Sequence, residues 1–242
     1  MTTLARITIT TILSFIMFSC NFDVHFNSGV KGNGNVTVEE REVNEPFSSI
    51  RASEGLDVYL TQGNDTQITV EADENLQELI LVEVDNDVLK LHTKKNIGRS
   101  KAKKVMVHFK EVSSISGSSG SRVKSTNTIV AKHLDVRGSS GSSLKLEVAT
   151  DVLDCGSSSG SSVKLTGETQ RLIADASSGS QIKAQDLTAQ KSSVNASSGA
   201  NVSVNTQESL VAKASSGGNI TYYGNPETVE KSDGVSGNIS KR

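Results

Sequence analysis

The amino-acid sequence predicts an all-β chain wound as a parallel β-helix, a solenoid with coils of about twenty residues. Three observations predict it. First, Ser-Ser-Gly recurs with its glycine at positions 120, 141, 160, 179, 199 and 217, spaced by 21, 19, 19, 20 and 18 residues. Second, aliphatic residues keep fixed offsets from that glycine: Val123, Leu144, Val163, Ile182, Val202 and Ile220 stand three after it. Ile115, Val136, Cys155, Ala174, Val194 and Ala212 stand five before it. Third, the apolar period within each unit is two, which puts one face inward and one outward along a strand. A flexible Ser/Gly linker would have no reason to keep these offsets. One unit cannot bury its apolar face, whereas units stacked about 4.8 Å apart share a continuous core.

Taken in chain order, residues 1–19 read as a lipoprotein signal peptide. One positive residue precedes Ile7 to Phe18, an uncharged, mostly apolar run of twelve. That is too short for a membrane-spanning helix, which needs about 20 residues. Cys20 follows directly, and Met17-Phe18-Ser19-Cys20 resembles a loose lipobox, in which the thiol is acylated and becomes the new N-terminus. Residues 20–42 read as a tether and first strand, rich in Gly and Asn before Val36-Thr-Val-Glu-Glu. Residues 43–242 read as one β-helix domain. Ile50, Ala52, Gly55, Val58 and Leu60 fit the repeat template, so Gly55 marks an early coil.

Between the Gly55 and Gly120 coils, residues 61–111 read as an inserted antiparallel hairpin cap near the N-terminus. Its strand-like runs are Gln67 to Val70, Ile80 to Val84, Val88 to Lys94 and Lys104 to Phe109, with a helical turn at Glu74 to Leu79. A cap of this kind covers strand edges that would otherwise polymerise. Within the coils, Cys155 shares a core offset, and with Cys20 acylated no intramolecular disulfide remains. The serines one before each glycine (Ser119, Ser140, Ser159, Ser178, Ser198, Ser216) are expected inside the column, passing hydroxyl hydrogen bonds from coil to coil.

These segments resemble the bacterial envelope family described as putative auto-transporter adhesin, head GIN domain. The carriers are Gly32-Asn-Gly-Asn35, Phe47-Ser-Ser-Ile50 with Gly55-Leu-Asp-Val-Tyr-Leu-Thr-Gln-Gly63, Val70-Glu-Ala-Asp-Glu-Asn75, Lys94-Lys-Asn-Ile97 and the Ser-Gly-Ser units, over Gly32 to Arg242. Gly55-Leu56-Asp57 replaces the family's Gly-Ile-Asn, and its acidic corners become Arg122, Ser143, Ser162 and Gln181. The resemblance implies a right-handed parallel β-helix lipoprotein, exported and lipid-anchored in the bacterial cell envelope at the outer membrane.

Charge narrows the function. A formal net charge of −2 provides no basic excess for nucleic-acid binding. No Cys/His cluster or calcium nonapeptide suggests a metal, and no cofactor is expected. No catalytic residue is assigned. The nearest candidate is Asp135 stacked on Asp154 with Arg137 beside them, which also reads as an ordinary salt-bridged face. Four residues after successive glycines stand Lys124, Lys145, Lys164 and Lys183. The row reads either as a solvated guard of an exposed sheet or as an anion-binding track. The expected function is a non-enzymatic envelope lipoprotein, a structural or adhesin-like ligand-binding module. Its partners would be the membrane through the anchor, and an acidic glycan or another envelope protein. The rival is a carbohydrate-active β-helix enzyme acting on an acidic polysaccharide.

Overall fold

Alternating aliphatic and polar residues fold each repeat into strands that pair in parallel with the same residues of the next repeat. The computed structural model describes residues 29–234 and 236–242. The signal segment and Cys20 lie outside the described residues. In order, the strands are β1 (Val36–Arg41), β2 (Ser49–Ala52), β3 (Asp57–Gln62), β4 (Gln67–Asp73), β5 (Ile80–Asp85), β6 (Val88–Thr93), β7 (Lys103–Phe109), β8 (Ser114–Gly117) and β9 (Arg122–Ser125). There follow β10 (Ile129–Gly138), β11 (Ser143–Ser157), β12 (Ser162–Ala176), β13 (Gln181–Ala196), β14 (Asn201–Ala214), β15 (Asn219–Tyr223), β16 (Thr228–Asp233) and β17 (Asn238–Lys241). A 3-10 helix (Glu74–Leu79) joins β4 to β5.

Two parallel ladders run the length of this β-solenoid. Before the corner, Ile50 pairs with Ile115, then Val136, Cys155, Ala174, Val194 and Ala212 in turn. After it, Val58 pairs with Val123, then Leu144, Val163, Ile182, Val202 and Ile220. These are the repeat offsets, and all of these side chains are buried. Cys155 is fully buried, and desolvation pushes its thiol pKa well up, so it packs as a small hydrophobe.

The corner between the ladders is a tight turn with two successive left-handed residues, the geometry of a type I′ turn. At 139–142, Ser140 has φ 50° and Gly141 φ 72°, and the Ser142 N–H donates to the Ser139 carbonyl at 3.0 Å. A Cβ at Gly141 would meet nothing within 4 Å, so the backbone angle and not crowding calls for glycine there. Hydrogen bonds also run between turns: the Gly141 N–H donates to Ser159, and Gly160 N–H to Ser178, at 3.0 and 3.1 Å.

The turn corrects the expectation for the serine row. Ser119, Ser140, Ser159, Ser178, Ser198 and Ser216 are exposed, all with positive φ. The buried hydroxyls belong to Ser121, Ser142, Ser161 and Ser180, one residue after each glycine. Ser121 Oγ donates to the Ala52 carbonyl at 3.1 Å, Ser142 Oγ to Gly117 at 2.9 Å and Ser180 Oγ to Ser157 at 2.7 Å. The inward positions stay in phase across the turn, with Val136, Gly138, Ser142 and Leu144 all buried, and the two left-handed residues turn only Ser140 and Gly141 outward. Each bond is worth about 1 kcal/mol net, and the row leaves few inward hydroxyls unsatisfied.

The inserted segment does more than cap. Its β4–β7 and β5–β6 pairs are antiparallel, as expected of hairpins. Yet β6 also pairs in parallel with β2, and β7 with β3. The insertion therefore builds one further coil beneath the Gly55 coil, so order in space departs from order in sequence. Beyond it, β1 pairs with β4, and Leu76 of the 3-10 helix is fully buried.

Buried Asp73 ties this end together. Its Oδ1 accepts the N–H groups of Lys101 (3.0 Å) and Ala102 (2.8 Å), and its Oδ2 accepts that of Gly34 (2.8 Å). Burial works against the carboxylate, but the bonds from Ala102, Gly34 and Lys101 outweigh it and hold the pKa below the usual carboxylate range. At the other end Lys231 pairs with Ala212 and so takes a core row position, its ammonium 4.8 Å from the centre of the Tyr222 ring. A charge in a core row discourages another coil from stacking there.

Candidate anion-binding face

The second ladder brings the predicted lysines together. Lys124 is register partner to Lys145, Lys145 to Lys164 and Lys164 to Lys183. They form one outward row on four successive coils, about 4.8 Å apart at the backbone. Lys124 and Lys145 are exposed, and Lys164 and Lys183 half-buried. Lys164 Nζ lies 3.1 Å from Asp186 Oδ2. Among the described residues, Lys124, Lys145 and Lys183 have no carboxylate within 4.0 Å. The row begins beyond Tyr59, the partner of Lys124, and gives way to Ser203 and Thr221.

A second row, made of the corner residues that replace the family's acidic groups, lies two residues nearer the corner on the same face. Arg122, Ser143, Ser162, Gln181 and Asn201 are successive register partners. Arg122 is tied to Asp57, Nε to Oδ1 at 2.5 Å, and that bond and charge raise the guanidinium pKa. Ser143, Ser162 and Gln181 are neutral. The repeat places them at offset two after the glycine, but as corner residues without a binding role; their standing beside the lysines on one face is what the strand register adds. Nearby, the Glu147 carboxylate accepts a hydrogen bond from Thr128 Oγ1 at 2.7 Å.

Asp135 and Asp154 do stack on adjacent coils. Arg137 lies between them, Nε 2.7 Å from Asp135 Oδ1 and Nη2 2.9 Å from Asp154 Oδ1. A Cβ on Gly156 would come within 2.4 Å of Arg137 Nη1, so the guanidinium lies across bare backbone. Partial burial works against that charge, and Asp135 and then Asp154 more than offset it, so the Arg137 pKa is raised. Chemically the trio is an ion-pair cluster that clasps two coils. His133, near it in sequence, is exposed and lines a different feature.

That feature is an open groove of about 1190 Å³ where the third side of the solenoid begins. The Gly55 coil has no third side, so β10 has no strand on one flank there. The Gln62 carboxamide fills in: Oε1 accepts the Val130 N–H at 2.7 Å, and Nε2 donates to the Val130 carbonyl at 3.1 Å. The groove carries both signs of charge, with Lys110, Lys132, Asp151 and Glu168 on its walls. Among the described residues, no three His, Cys, Asp or Glu side chains converge for a metal ion.

The β-solenoid fold is shared by several solved bacterial proteins. A putative adhesin from Bacteroides fragilis NCTC 9343 superposes with a TM-score of 0.79 at 22% identity, covering 88% of this chain and 100% of that one. A putative lipid binding protein from Parabacteroides distasonis ATCC 8503 gives 0.72 at 22% identity, covering 88% and 99%. A putative adhesin from Parabacteroides merdae ATCC 43184 gives 0.70 at 18%, covering 88% and 98%. No curated protein matches the chain. Residues 46–226 match the family model described as putative auto-transporter adhesin, head GIN domain, and the chain belongs to that family. It is thus adhesin-like, of the extracellular or envelope-associated kind.

Proposed function

We propose that this chain is a non-enzymatic, lipid-anchored module of the bacterial outer membrane that binds an anionic surface polymer through Lys124, Lys145, Lys164 and Lys183. The observation that carries the reading is the unbroken register of the four lysines. Like charges at about 4.8 Å repel by roughly 1 kcal/mol per pair in water. The row therefore costs a little stability when empty, and an anion relieves that cost. Adhesin-like family membership supports a binding role over turnover. The apolar run ending at Cys20 supports the anchor.

Replacing all four lysines with Gln should abolish salt-sensitive binding to acidic glycans. The Tm should stay within about 2 °C of wild type or rise slightly, because the side chains are surface groups. Calorimetric titration at low and high salt reads the first outcome, and thermal unfolding the second. Retained binding in the quadruple variant overturns the reading of the row. The anchor is tested separately: metabolic palmitate labelling should mark wild type and spare Cys20→Ser, and equal labelling of both would remove the anchor from the proposal.

A further inference from the structure

We infer that the polymer is a linear 1,4-linked polyuronate lying along the solenoid axis, one sugar ring per coil, with the carboxylates of alternate rings on the lysine row and ring hydroxyls on Ser143, Ser162 and Gln181. The inference rests on the reading of the lysines as an anion site and names the ligand class for it. Two rows on one face carry it, the cationic one and the neutral one. They lie two residues apart along the strands, about 6.6 Å, and both repeat at the coil spacing of about 4.8 Å. A 1,4-linked pyranose chain advances by nearly that distance per ring, and because successive rings of a two-fold chain are turned over, each edge presents a carboxylate at every second ring with hydroxyl groups between. Its rise per ring thus matches the coil spacing, and its mixed edges suit a face of cations beside neutral polar groups.

The neutral row distinguishes this ligand from clustered phosphates. Serine hydroxyls and a carboxamide donate and accept hydrogen bonds, as sugar hydroxyls require. A phosphate headgroup gains more from cations in both rows than from this mixture, and it has no axial repeat to register with the coils. The face also has ends. Toward the N-terminus, Arg122 is committed to Asp57, and Tyr59 replaces lysine. Toward the C-terminus, Ser203 follows Lys183. Four coils are charged, which sets a footprint of four rings. Glu147 and Asp186 are the acidic groups beside the row: Glu147 is bonded by Thr128, and Asp186 is paired with Lys164, whose ammonium would exchange it for the ligand.

The experiment is calorimetric titration of the full chain at low salt with oligogalacturonates from the dimer to the octamer. Affinity should rise with length, about 2- to 5-fold for each carboxylate added on the row, as for ordinary surface ion pairs, and level off at the tetramer. A variant with Ser143→Val, Ser162→Val and Gln181→Leu should bind the tetramer several-fold more weakly and keep the salt dependence that the lysines supply. Vesicles carrying lipid A and inorganic phosphate serve as the phosphate arms. Affinity without length dependence, wild-type binding by the neutral-row variant, or lipid A bound more tightly than the tetramer would each overturn the polyuronate assignment. In those cases the lysine row survives as an anion site if its quadruple Gln variant loses the binding seen. If wild type binds no anion at low salt, both readings fall together.

Discussion

Val163→Asp should unfold or severely destabilise the protein, while Ser162→Asp, one residue away, should leave it nearly unchanged. Val163 is fully buried between Leu144 and Ile182 in the second ladder. A carboxylate there would find neither water nor a partner, at a cost of about 4 kcal/mol or more. For a chain of this length that lowers Tm by roughly 10 °C or more. Ser162 points outward between Ser143 and Gln181, so its change should stay within about 0.5 kcal/mol. Stability in a solenoid is a sum of each coil and its neighbours, and damage in a middle coil separates the two halves of the core. Far-ultraviolet circular dichroism with thermal unfolding on both variants checks the contrast. Equal stability of the two would mean that the inward register is wrong.

Asp73→Asn should cost about 3 kcal/mol at neutral pH, and the difference should shrink in acid. The carboxylate accepts three backbone N–H groups in a fully buried position. An amide offers one oxygen and turns an N–H toward a donor, leaving buried donors unpaired. The folded carboxyl pKa lies below the usual carboxylate range. A depressed pKa contributes stability that is present above the unfolded value and is lost as pH falls through the folded one. Wild type should thus approach the variant below about pH 4, while the variant lacks that component of acid sensitivity. Chemical denaturation of both proteins at pH 7 and near pH 3 measures it. A stability gap that persists undiminished in acid would show that charge on Asp73 is not what ties the loops.

Asp73 also shows what gives two quoted sequence segments their meaning. Gly32 to Asn35 and Asp73 to Asn75 are distant in sequence but bonded in space: Gly34 donates to Asp73, and the Asn33 N–H donates to Asn75 Oδ1 at 2.9 Å. A Cβ on Gly32 would fall 2.0 Å from Asp73 Oδ2, so the loop approaches the carboxylate as only glycine allows. Read one segment at a time, neither shows its partner.

The period, the inward rows and the lysine row were legible in the sequence because a solenoid repeats its contacts. Each coil meets the next at one fixed offset, so Lys124 to Lys183 or Ile115 to Ala212 could be aligned without coordinates. Even the turn at Glu74 to Leu79 was legible, since its signals are local. Tertiary structure alone decided three things. It showed that Ser142 faces inward and Ser140 does not, because the two left-handed residues of each turn swing out of the column at a position that the alternation counts as inward. It showed that β6 and β7 add a coil beneath β2 and β3, because pairings in a segment without repeats are set by burial across the whole column and not by spacing. It also showed that Gln62 closes the flank of β10, because a side chain standing in for a missing strand has no periodic signature: its partner is determined only by where the third side of the column begins.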